Sequence, residues 1–302
     1  MKKRILGFLS LPLFFLVGCT NKDVALSGTI TTKEVEIEDV SSLEVYNINL
    51  KSGFSSFGAK IVCLNDDTKK KRAVITASSD LIEKVSIKES GATLKISASS
   101  HERYLTDSCE IYLYNCVFNS INLASATQMI ANDGTLREDK LDIDLKGASS
   151  LEINKLSLNE IDVELSGASS FKASKIELND ASFDLSGASN VQIESLIADD
   201  IELSLAGASS FKASGSVDKI EVDASGASKV DMINVSSSKV SGHLSGASSG
   251  YFSFRGSLKL DLSGASTLYY LGDSSSLDVS TSGGSVSYTH LRAHETPEHL
   301  VC

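Results

Sequence analysis

The second half of the chain is a tandem repeat, and this repeat limits the possible folds more than any other feature. The tripeptide Gly-Ala-Ser recurs at steps of 20, 20, 20, 19, 20 and 18 residues. Its copies begin at Gly147, Gly167, Gly187, Gly207, Gly226, Gly246 and Gly264. A fixed period of this kind indicates an array in which each unit packs only against its neighbours. The 302 residues are therefore expected to form one rod with an attached section, not two ordinary domains.

Apolar and polar residues alternate on both sides of each tripeptide. Leu141, Ile143 and Leu145 precede the first copy, and Leu151 and Ile153 follow it. A period of two predicts strands with one buried face. A unit of this length with short strands and no helical spacing is typical of one rung of a parallel β-helix. A leucine-rich repeat would show its own leucine pattern, and a propeller blade needs about twice the length.

We predict an all-β fold in which residues 121–285 form a right-handed parallel β-helix (a β-solenoid) with rungs of about 20 residues. Equivalent strands stack about 4.8 Å apart, so seven to nine rungs form a rod of roughly 35–45 Å. Glycine is expected at each corner because the turn needs backbone angles that other residues disfavour. The serines are expected to stack as a hydroxyl ladder. Seven equivalent serines and a single repeat histidine, the solvated His243, argue against a catalytic nucleophile.

Residues 38–120 also alternate, and we predict that they form a β-rich section that caps the open end of the rod. Residues 90–93 have the composition of a hairpin turn. Cys63, Cys109 and Cys116 do not have the spacing of a zinc site, and no metal or other cofactor is expected. Their number is odd, so the sequence leaves their pairing open.

The N-terminus has the features of a sorting signal over residues 1–18. Three basic residues precede an apolar stretch, residues 5–17, that is too short to span a bilayer. The signal ends in Leu-Val-Gly-Cys19, which resembles the lipobox of bacterial lipoproteins. In that resemblance Cys19 becomes the acylated N-terminus, residues 19–37 are the lipidated cysteine and a tether, and the acyl chains anchor the protein in a membrane. We expect the bacterial outer membrane, with the protein facing the periplasm or the outside.

The composition changes again at the C-terminal end. Residues 286–302 hold three of the five histidines and one of the two prolines, and they resemble translated adapter sequence more than native protein. Without this tail and the signal, 24 basic and 37 acidic residues remain, a net charge of −13. So acidic a chain is not a nucleic-acid binder, which needs a basic stripe. With 41% hydrophobic residues it is not a disordered chain either.

One outward position of the repeats carries the candidate contact surface. Five residues after each tripeptide glycine the sequence has Glu152, Lys172, Gln192, Lys212, Asp231, Tyr251 and Tyr269. Tyr251 and Tyr269 are expected to stack on the outside, and exposed aromatic side chains suit a sugar or protein ligand. A purely stabilising aromatic ladder is the alternative interpretation.

The lipobox, the segment Gly-Ala-Thr-Leu-Lys-Ile at residues 91–96 and the repeated Leu-Ser-Gly-Ala-Ser copies together resemble a family of bacterial envelope proteins. It is described as the putative auto-transporter adhesin, head GIN domain, formerly a domain of unknown function (DUF2807). The resemblance covers about residues 38–285. It implies a β-helical fold and no established enzyme activity, and it brings no catalytic residues with it.

We therefore expect a non-enzymatic cell-envelope lipoprotein that serves adhesion or surface scaffolding and takes a glycan or protein ligand. One alternative is an envelope-stress or structural component that binds a periplasmic partner. Another is a polysaccharide-active β-helix enzyme, which would need clustered carboxylates beside a lysine or arginine.

Overall fold

The short alternating stretches of the first half form strands. The computed structural model describes residues 22–106, 108–137, 139–272 and 276–289. The elements of the first half are β1 (Lys22–Ala25), β2 (Ile30–Glu36), β3 (Ser42–Tyr46), β4 (Leu50–Ser52), β5 (Ser55–Phe57), β6 (Lys60–Leu64), β7 (Arg72–Ser78), α1 (Ser79–Lys84), β8 (Ser86–Ser90), β9 (Thr93–Ser97), β10 (Glu102–Leu105), β11 (Glu110–Tyr114), β12 (Ser120–Leu123) and β13 (Gln128–Ala131).

The alternating segments on each side of the Gly-Ala-Ser corners also form strands. They are β14 (Lys140–Leu145), β15 (Ser150–Ser157), β16 (Glu160–Leu165), β17 (Ser170–Glu177), β18 (Asp180–Leu185), β19 (Asn190–Leu205), β20 (Ser210–Ala224), β21 (Lys229–Leu244), β22 (Ser249–Leu262), β23 (Thr267–Leu271), β24 (Leu277–Thr281) and β25 (Val286–Thr289). Strands β19 to β22 are longer because each continues from one face of the solenoid to the next.

Parallel pairing stacks the repeats in register. The strands before each corner form one stack, the pre-corner sheet (β12, β14, β16, β18, the ends of β19 to β22, and β24). The strands after each corner form a second stack, the post-corner sheet (β13, β15, β17, the starts of β19 to β22, β23 and β25). Leu141 pairs with Ile161, and Ile161 with Ala181. The stack has about eight turns, which confirms the predicted β-solenoid.

The interior is filled by the inward side chains of both sheets. Three buried phenylalanines of successive rungs contact one another. The ring centroids of Phe171 and Phe183 are 6.4 Å apart, and those of Phe183 and Phe211 are 5.0 Å apart with an edge-to-face arrangement. Burial of a side chain of this size stabilises the fold by about 1.5–3 kcal/mol. Because every rung contributes inward residues, the core is one continuous apolar column.

From Gly167 onward, each corner is fitted closely against the corner of the rung before it. Gly187 has a φ of +74°, and a Cβ there would lie 2.5 Å from the carbonyl oxygen of Gly167. The same carbonyl oxygen accepts a hydrogen bond from the N–H of Ala188 at 2.7 Å. Glycine is thus required by the backbone conformation and by the approach of the neighbouring rung.

The corner serines are buried, and four of the seven donate to a carbonyl oxygen of their own turn: Ser149, Ser169, Ser189 and Ser209. The Ser189 hydroxyl donates to the carbonyl oxygen of Ser186 at 2.7 Å. The Ser209 hydroxyl donates to the carbonyl oxygen of Ala206 at 2.8 Å and reaches that of Leu185 in an earlier rung at 3.3 Å. Ser248 donates instead to the carbonyl oxygen of Ala224 in the earlier rung, at 3.3 Å, and the buried hydroxyls of Ser228 and Ser266 have no hydrogen-bond partner among the described residues.

The first half contributes rungs of its own, in an order that differs from the chain order. In one stack β9 pairs with β3, β3 with β12 and β12 with β14. In the other, β11 pairs with β6, β6 with β13 and β13 with β15. The rung of residues 93–114 therefore lies outside the rung of residues 42–64, although it follows it in sequence.

Antiparallel strands and a short helix close this end. Strand β7 pairs with β11 and β2, and β8 pairs with β9. Helix α1 begins after Ser78, whose side chain accepts a hydrogen bond from the N–H of Leu81, and it buries Leu81 and Ile82. The outermost parallel strands thus do not present a free edge. A β-rich cap is present as predicted, but residues 42–64 and 93–114 of the segment assigned to it form rungs of the solenoid.

A cluster of polar side chains holds the loop between β6 and β7. Asp66 forms an ion pair with Arg72, with 2.5 Å between Oδ2 and Nη2, and accepts hydrogen bonds from Thr68 and Asn115. The Arg72 guanidinium also lies 4.1 Å from the ring centroid of Tyr114. The hydrogen bonds from Arg72, Thr68 and Asn115 lower the pKa of Asp66 well below its ordinary value.

A separate four-stranded sheet, the N-terminal side sheet, has the order β1–β10–β4–β5. Its first strand comes from the segment predicted to be a tether, residues 19–37, and β2 comes from the same segment. Asp23 binds Arg103 at 2.6 Å and Lys51 at 3.1 Å. Much of the predicted tether is therefore β-structure that is fixed to the body of the protein.

Two other expectations concern the chain termini. The signal at residues 1–18 and the lipidation site Cys19 lie outside the described residues, and so do residues 290–302 of the predicted non-native tail. Residues 286–289 of that tail form β25, which pairs in parallel with β23. Within the described ranges, none of the helices has the length and apolar character needed to cross a membrane.

Candidate binding surface

The two tyrosines predicted to stack on the outside do so. Parallel pairing of β22 with β23 places Tyr251 beside Tyr269, with ring centroids 4.8 Å apart and an angle of 7° between the rings. Tyr288 of β25 continues the stack, 5.2 Å from Tyr269 at 21°. We call these three residues the tyrosine ladder. Sequence analysis missed Tyr288 because residue 288 falls in the segment assigned to the non-native tail.

Stacking decides which parts of the ladder a ligand can touch. Tyr269 is covered on both faces by its neighbours, and the Lys229 ammonium lies 4.9 Å from the centroid of the Tyr251 ring. Sugar rings bind aromatic side chains mainly through the ring face. The ladder therefore offers its ring edges and a row of hydroxyls, and one further ring face at Tyr288, which is 50% exposed.

The ladder is supported from beneath by a second aromatic pair. Tyr270 points inward and is almost fully buried, with its ring centroid 6.2 Å from that of Phe254. The Tyr270 hydroxyl accepts a hydrogen bond from Thr289 at 3.0 Å, which ties β25 to the preceding rung. The exposed rings are thus supported by packed, buried side chains, and a ligand would meet a largely preformed surface.

The same outward position has a different character along the rod. At the N-terminal end it is occupied by Tyr112, Val62 and Ile130, which are aligned by the pairing of β11, β6 and β13. The Tyr112 hydroxyl is bound to Glu110 at 2.7 Å. Charged and polar residues occupy this position from β15 to β21. Stacked tyrosines are therefore a property of the C-terminal rungs.

The outer face of the pre-corner sheet is acidic. Two shallow depressions on it are lined largely by carboxylates: Asp142, Asp144, Glu160, Asp162, Glu164, Asp180, Asp184, Asp200, Glu202 and Glu221. Lys140 lies 2.6 Å from both Glu160 and Asp162, and these carboxylates raise its pKa above the ordinary value. Lys219 is bound to Asp200 at 2.9 Å. Lys140 and Lys219 are thus held in ion pairs.

In the part of the chain that the structure describes, neither His243 nor the three buried cysteines form a recognisable reactive centre. His243 is 65% exposed and lies between Asp223, at 2.8 Å, and Asp261, at 3.5 Å. Cys63, Cys109 and Cys116 are free and buried, and burial raises the pKa of each thiol. Among the described residues, no three His, Cys, Asp or Glu side chains are arranged to hold a metal ion.

The functional candidates of this molecule therefore lie on the outside of a parallel β-solenoid and not in a cleft. The chain belongs to the family described as "Putative auto-transporter adhesin, head GIN domain". The family model matches residues 56–209 and 172–274, which together span well over half of the chain. Among curated proteins, none matches the sequence.

Solved structures share the fold at low sequence identity. A "putative lipid binding protein" from Parabacteroides distasonis aligns with a TM-score of 0.59 and 15% identity over 89% of this chain and 100% of its own. A "putative adhesin" from Parabacteroides merdae aligns with a TM-score of 0.56 and 14% identity over the same shares. A second P. distasonis "putative adhesin" gives 0.54 and 14% over 88% of this chain and 99% of its own. At these identities the likeness establishes the architecture alone.

Proposed function

We propose that this chain is a non-enzymatic adhesin or surface scaffold of the bacterial outer membrane, anchored through acyl chains on Cys19. The family is one of adhesin-like envelope proteins, which supports a role in adhesion. The fold supports it as well, since a stiff solenoid can hold a contact surface at a distance from its anchor.

The position of the tyrosine ladder is the observation that carries this proposal. In the post-corner stack, Tyr112 of β11 and Tyr251 of β22 are separated by eight strand spacings, or about 38 Å. Tyr288 lies two spacings further along. The predicted anchor is at the opposite end, beside β1. A protein held there would present the ladder away from the membrane.

The ladder geometry also narrows the chemistry of the ligand. With Tyr288 of the predicted non-native tail in place, the faces of Tyr251 and Tyr269 are covered, and contact would be made by ring edges and by hydroxyls that donate and accept hydrogen bonds. Such a row fits a protein surface or the hydroxyl groups of a glycan laid along the rod axis. The proposed ligand is therefore one that bonds to several rungs at once.

Binding of the purified chain to arrays of glycans and matrix proteins tests this proposal. We expect specific binding that is lost in the double variant Tyr251→Ser/Tyr269→Ser. Tyr112→Ser is the matched control, because it removes an outward tyrosine at the same ladder position at the other end of the rod. A clean negative across both arrays would count against adhesion. Binding that survives the double variant would exclude the ladder as the contact surface.

A further inference from the structure

An apolar patch lies on the outer face of the post-corner sheet at the N-terminal end of the rod. The neighbouring strands β7, β11, β6 and β13 place four side chains in one line, which we call the apolar row: Val74, Tyr112, Val62 and Ile130. Each is partly exposed, and none of the four belongs to the core formed by the described residues. Contiguous apolar side chains on an outer face mark a contact surface.

The apolar row and the tyrosine ladder are the two ends of one line of outward positions. The parallel pairing from β13 to β22 keeps this line in register along the rod. Between its ends stand two acidic, two basic and one neutral side chain, so the middle has no net charge: Glu152, Lys172, Gln192, Lys212 and Asp231. The outer face of the pre-corner sheet is acidic by contrast. The post-corner face is therefore the one that a second copy of this acidic chain can approach.

A two-fold axis that runs parallel to the strands would join the two ends of this line. If the axis lies between β17 and β19 of each copy, it reverses the direction of the rod and keeps each outward row opposite itself. The tyrosine ladder of one copy then covers the apolar row of the other, with Tyr269 opposite Tyr112 and Tyr251 opposite Val62. Near the centre, Glu152 faces Lys212 of the second copy, twice by symmetry.

Charge selects this register over its two neighbours. With the axis half a strand spacing closer to the C-terminal end, Glu152 would face Asp231 and Lys172 would face Lys212. With the axis half a spacing closer to the N-terminal end, Lys172 would face its own equivalent. Like charges that face each other oppose association. Of the three registers, only the central one pairs opposite charges.

The face is large enough for a specific dimer. From β7 to β25 it is eleven strand spacings long, or about 53 Å, and five residues of each strand give it a width of about 15 Å. These dimensions correspond to about 800 Å² per copy and about 1,600 Å² in total, which is the standard size of a specific protein interface.

We propose that two copies of this chain pair antiparallel through their post-corner faces. This inference rests on the anchor of the proposed function, and it names one protein ligand for the tyrosine ladder, a second copy. Antiparallel pairing puts the two predicted anchors at opposite ends of the dimer. Copies held in two facing membranes can therefore pair. Two copies in one membrane cannot, because Cys19 is only three residues before β1 and does not reach the far end of the rod.

Sedimentation velocity of the predicted mature chain, with Cys19→Ser to exclude acylation, tests the pairing. We expect a reversible dimer. Glu152→Lys and Lys212→Glu should each weaken it at least about tenfold, because each places like charges opposite each other. A mixture of the two variants should dimerise as the unchanged chain does, since opposite charges meet again at both symmetry-related contacts. Glu164→Lys on the acidic pre-corner face is the matched control and should change nothing.

Three results of this experiment would overturn the inference. They are a monomer at every concentration, a dimer that survives both single variants, and a mixture of the variants that stays monomeric. A monomer that still binds a glycan or matrix protein through the ladder would leave the proposed function intact.

Vesicles that carry the acylated chain test the antiparallel arrangement. Vesicles with Glu152→Lys should aggregate only with vesicles that carry Lys212→Glu. If the chain floats with the vesicles and dimerises in solution but the vesicles do not aggregate, the pairing is not antiparallel and the inference is wrong. If the chain does not float, the anchor of the proposed function fails, while sedimentation still decides whether two copies pair.

Discussion

Replacing one corner glycine by alanine should test how closely the rungs are fitted together. In Gly187→Ala, the new methyl group would lie 2.5 Å from the carbonyl oxygen of Gly167. Real Cβ atoms essentially never approach a neighbour within 3.0 Å, so the two rungs must separate locally. That carbonyl oxygen also accepts the hydrogen bond from Ala188, which the separation would weaken.

The expected decrease in the free energy of unfolding of Gly187→Ala has three contributions. A side chain in the left-handed region costs about 1–2 kcal/mol, a weakened buried hydrogen bond about 0.5–1.5 kcal/mol, and overpacking typically about 1–3 kcal/mol. Gly187→Ala should therefore lower the free energy of unfolding by about 2.5–6.5 kcal/mol.

Gly147→Ala is the matched control. Gly147 has the same kind of φ, +78°, but the atom nearest to its Cβ would be Ser125 N at 3.7 Å, an ordinary contact. Gly147→Ala should therefore lower the free energy of unfolding only by the cost of a side chain at positive φ, about 1–2 kcal/mol.

Urea denaturation followed by circular dichroism measures both variants. With an m value of about 3 kcal/mol per molar, the midpoint should fall by about 1 M or more for Gly187→Ala and about 0.5 M for Gly147→Ala. Equal shifts for the two variants would refute the argument, since they would show that the approach of the neighbouring corner adds nothing to the backbone cost.

The tyrosine ladder, the Asp66 cluster and the buried thiols each have a measurable consequence. Tyr269→Ser removes two stacked ring pairs and should lower the free energy of unfolding by about 1–3 kcal/mol in urea denaturation; an unchanged midpoint would contradict stacking. Because the folded-state pKa of Asp66 lies below its ordinary value of 3.8, its stabilising effect is complete above about pH 5 and is lost as the pH falls through that value and below. Asp66→Asn should therefore lower the urea midpoint more at neutral pH than at about pH 3, and an equal loss at both would exclude the ion pair as the cause. Burial raises the pKa of Cys109 to about 12 and that of Cys116 to about 11, so a thiol reagent at about pH 8 should modify them only after denaturation, whereas rapid labelling of the native protein would show that they are accessible.

The strands of the repeat region and their pairing were predictable because each copy of the sequence carries the same local pattern. Alternation around the tripeptides predicts the strands, and a residue's position relative to its tripeptide predicts which residues align, as with Leu141 and Ile161. The stacking of Tyr251 on Tyr269 follows in the same way, because both lie five residues after their tripeptide glycine. In each case the neighbour of a residue is the equivalent residue of the next copy.

The first half was less predictable because no repeat specifies its partners. The alternating segments there were recognised as strands, and the hairpin turn at residues 90–93 does join β8 to β9. The insertion of β9 between β8 and β3 depends instead on contacts far apart in sequence. The β4–β5 hairpin and the pairing of β1 with β10 likewise have no signal in the local pattern.

Detection of the protein on intact cells tests the proposed adhesin role most directly. An epitope inserted between Gly91 and Ala92 would lie in an exposed hairpin turn where a Cβ on Gly91 meets nothing within 4 Å. A periplasmic protein that stains only after permeabilisation serves as the control. The proposed function predicts antibody staining of intact cells. Staining that appears only after the outer membrane is permeabilised would contradict it and favour a periplasmic partner.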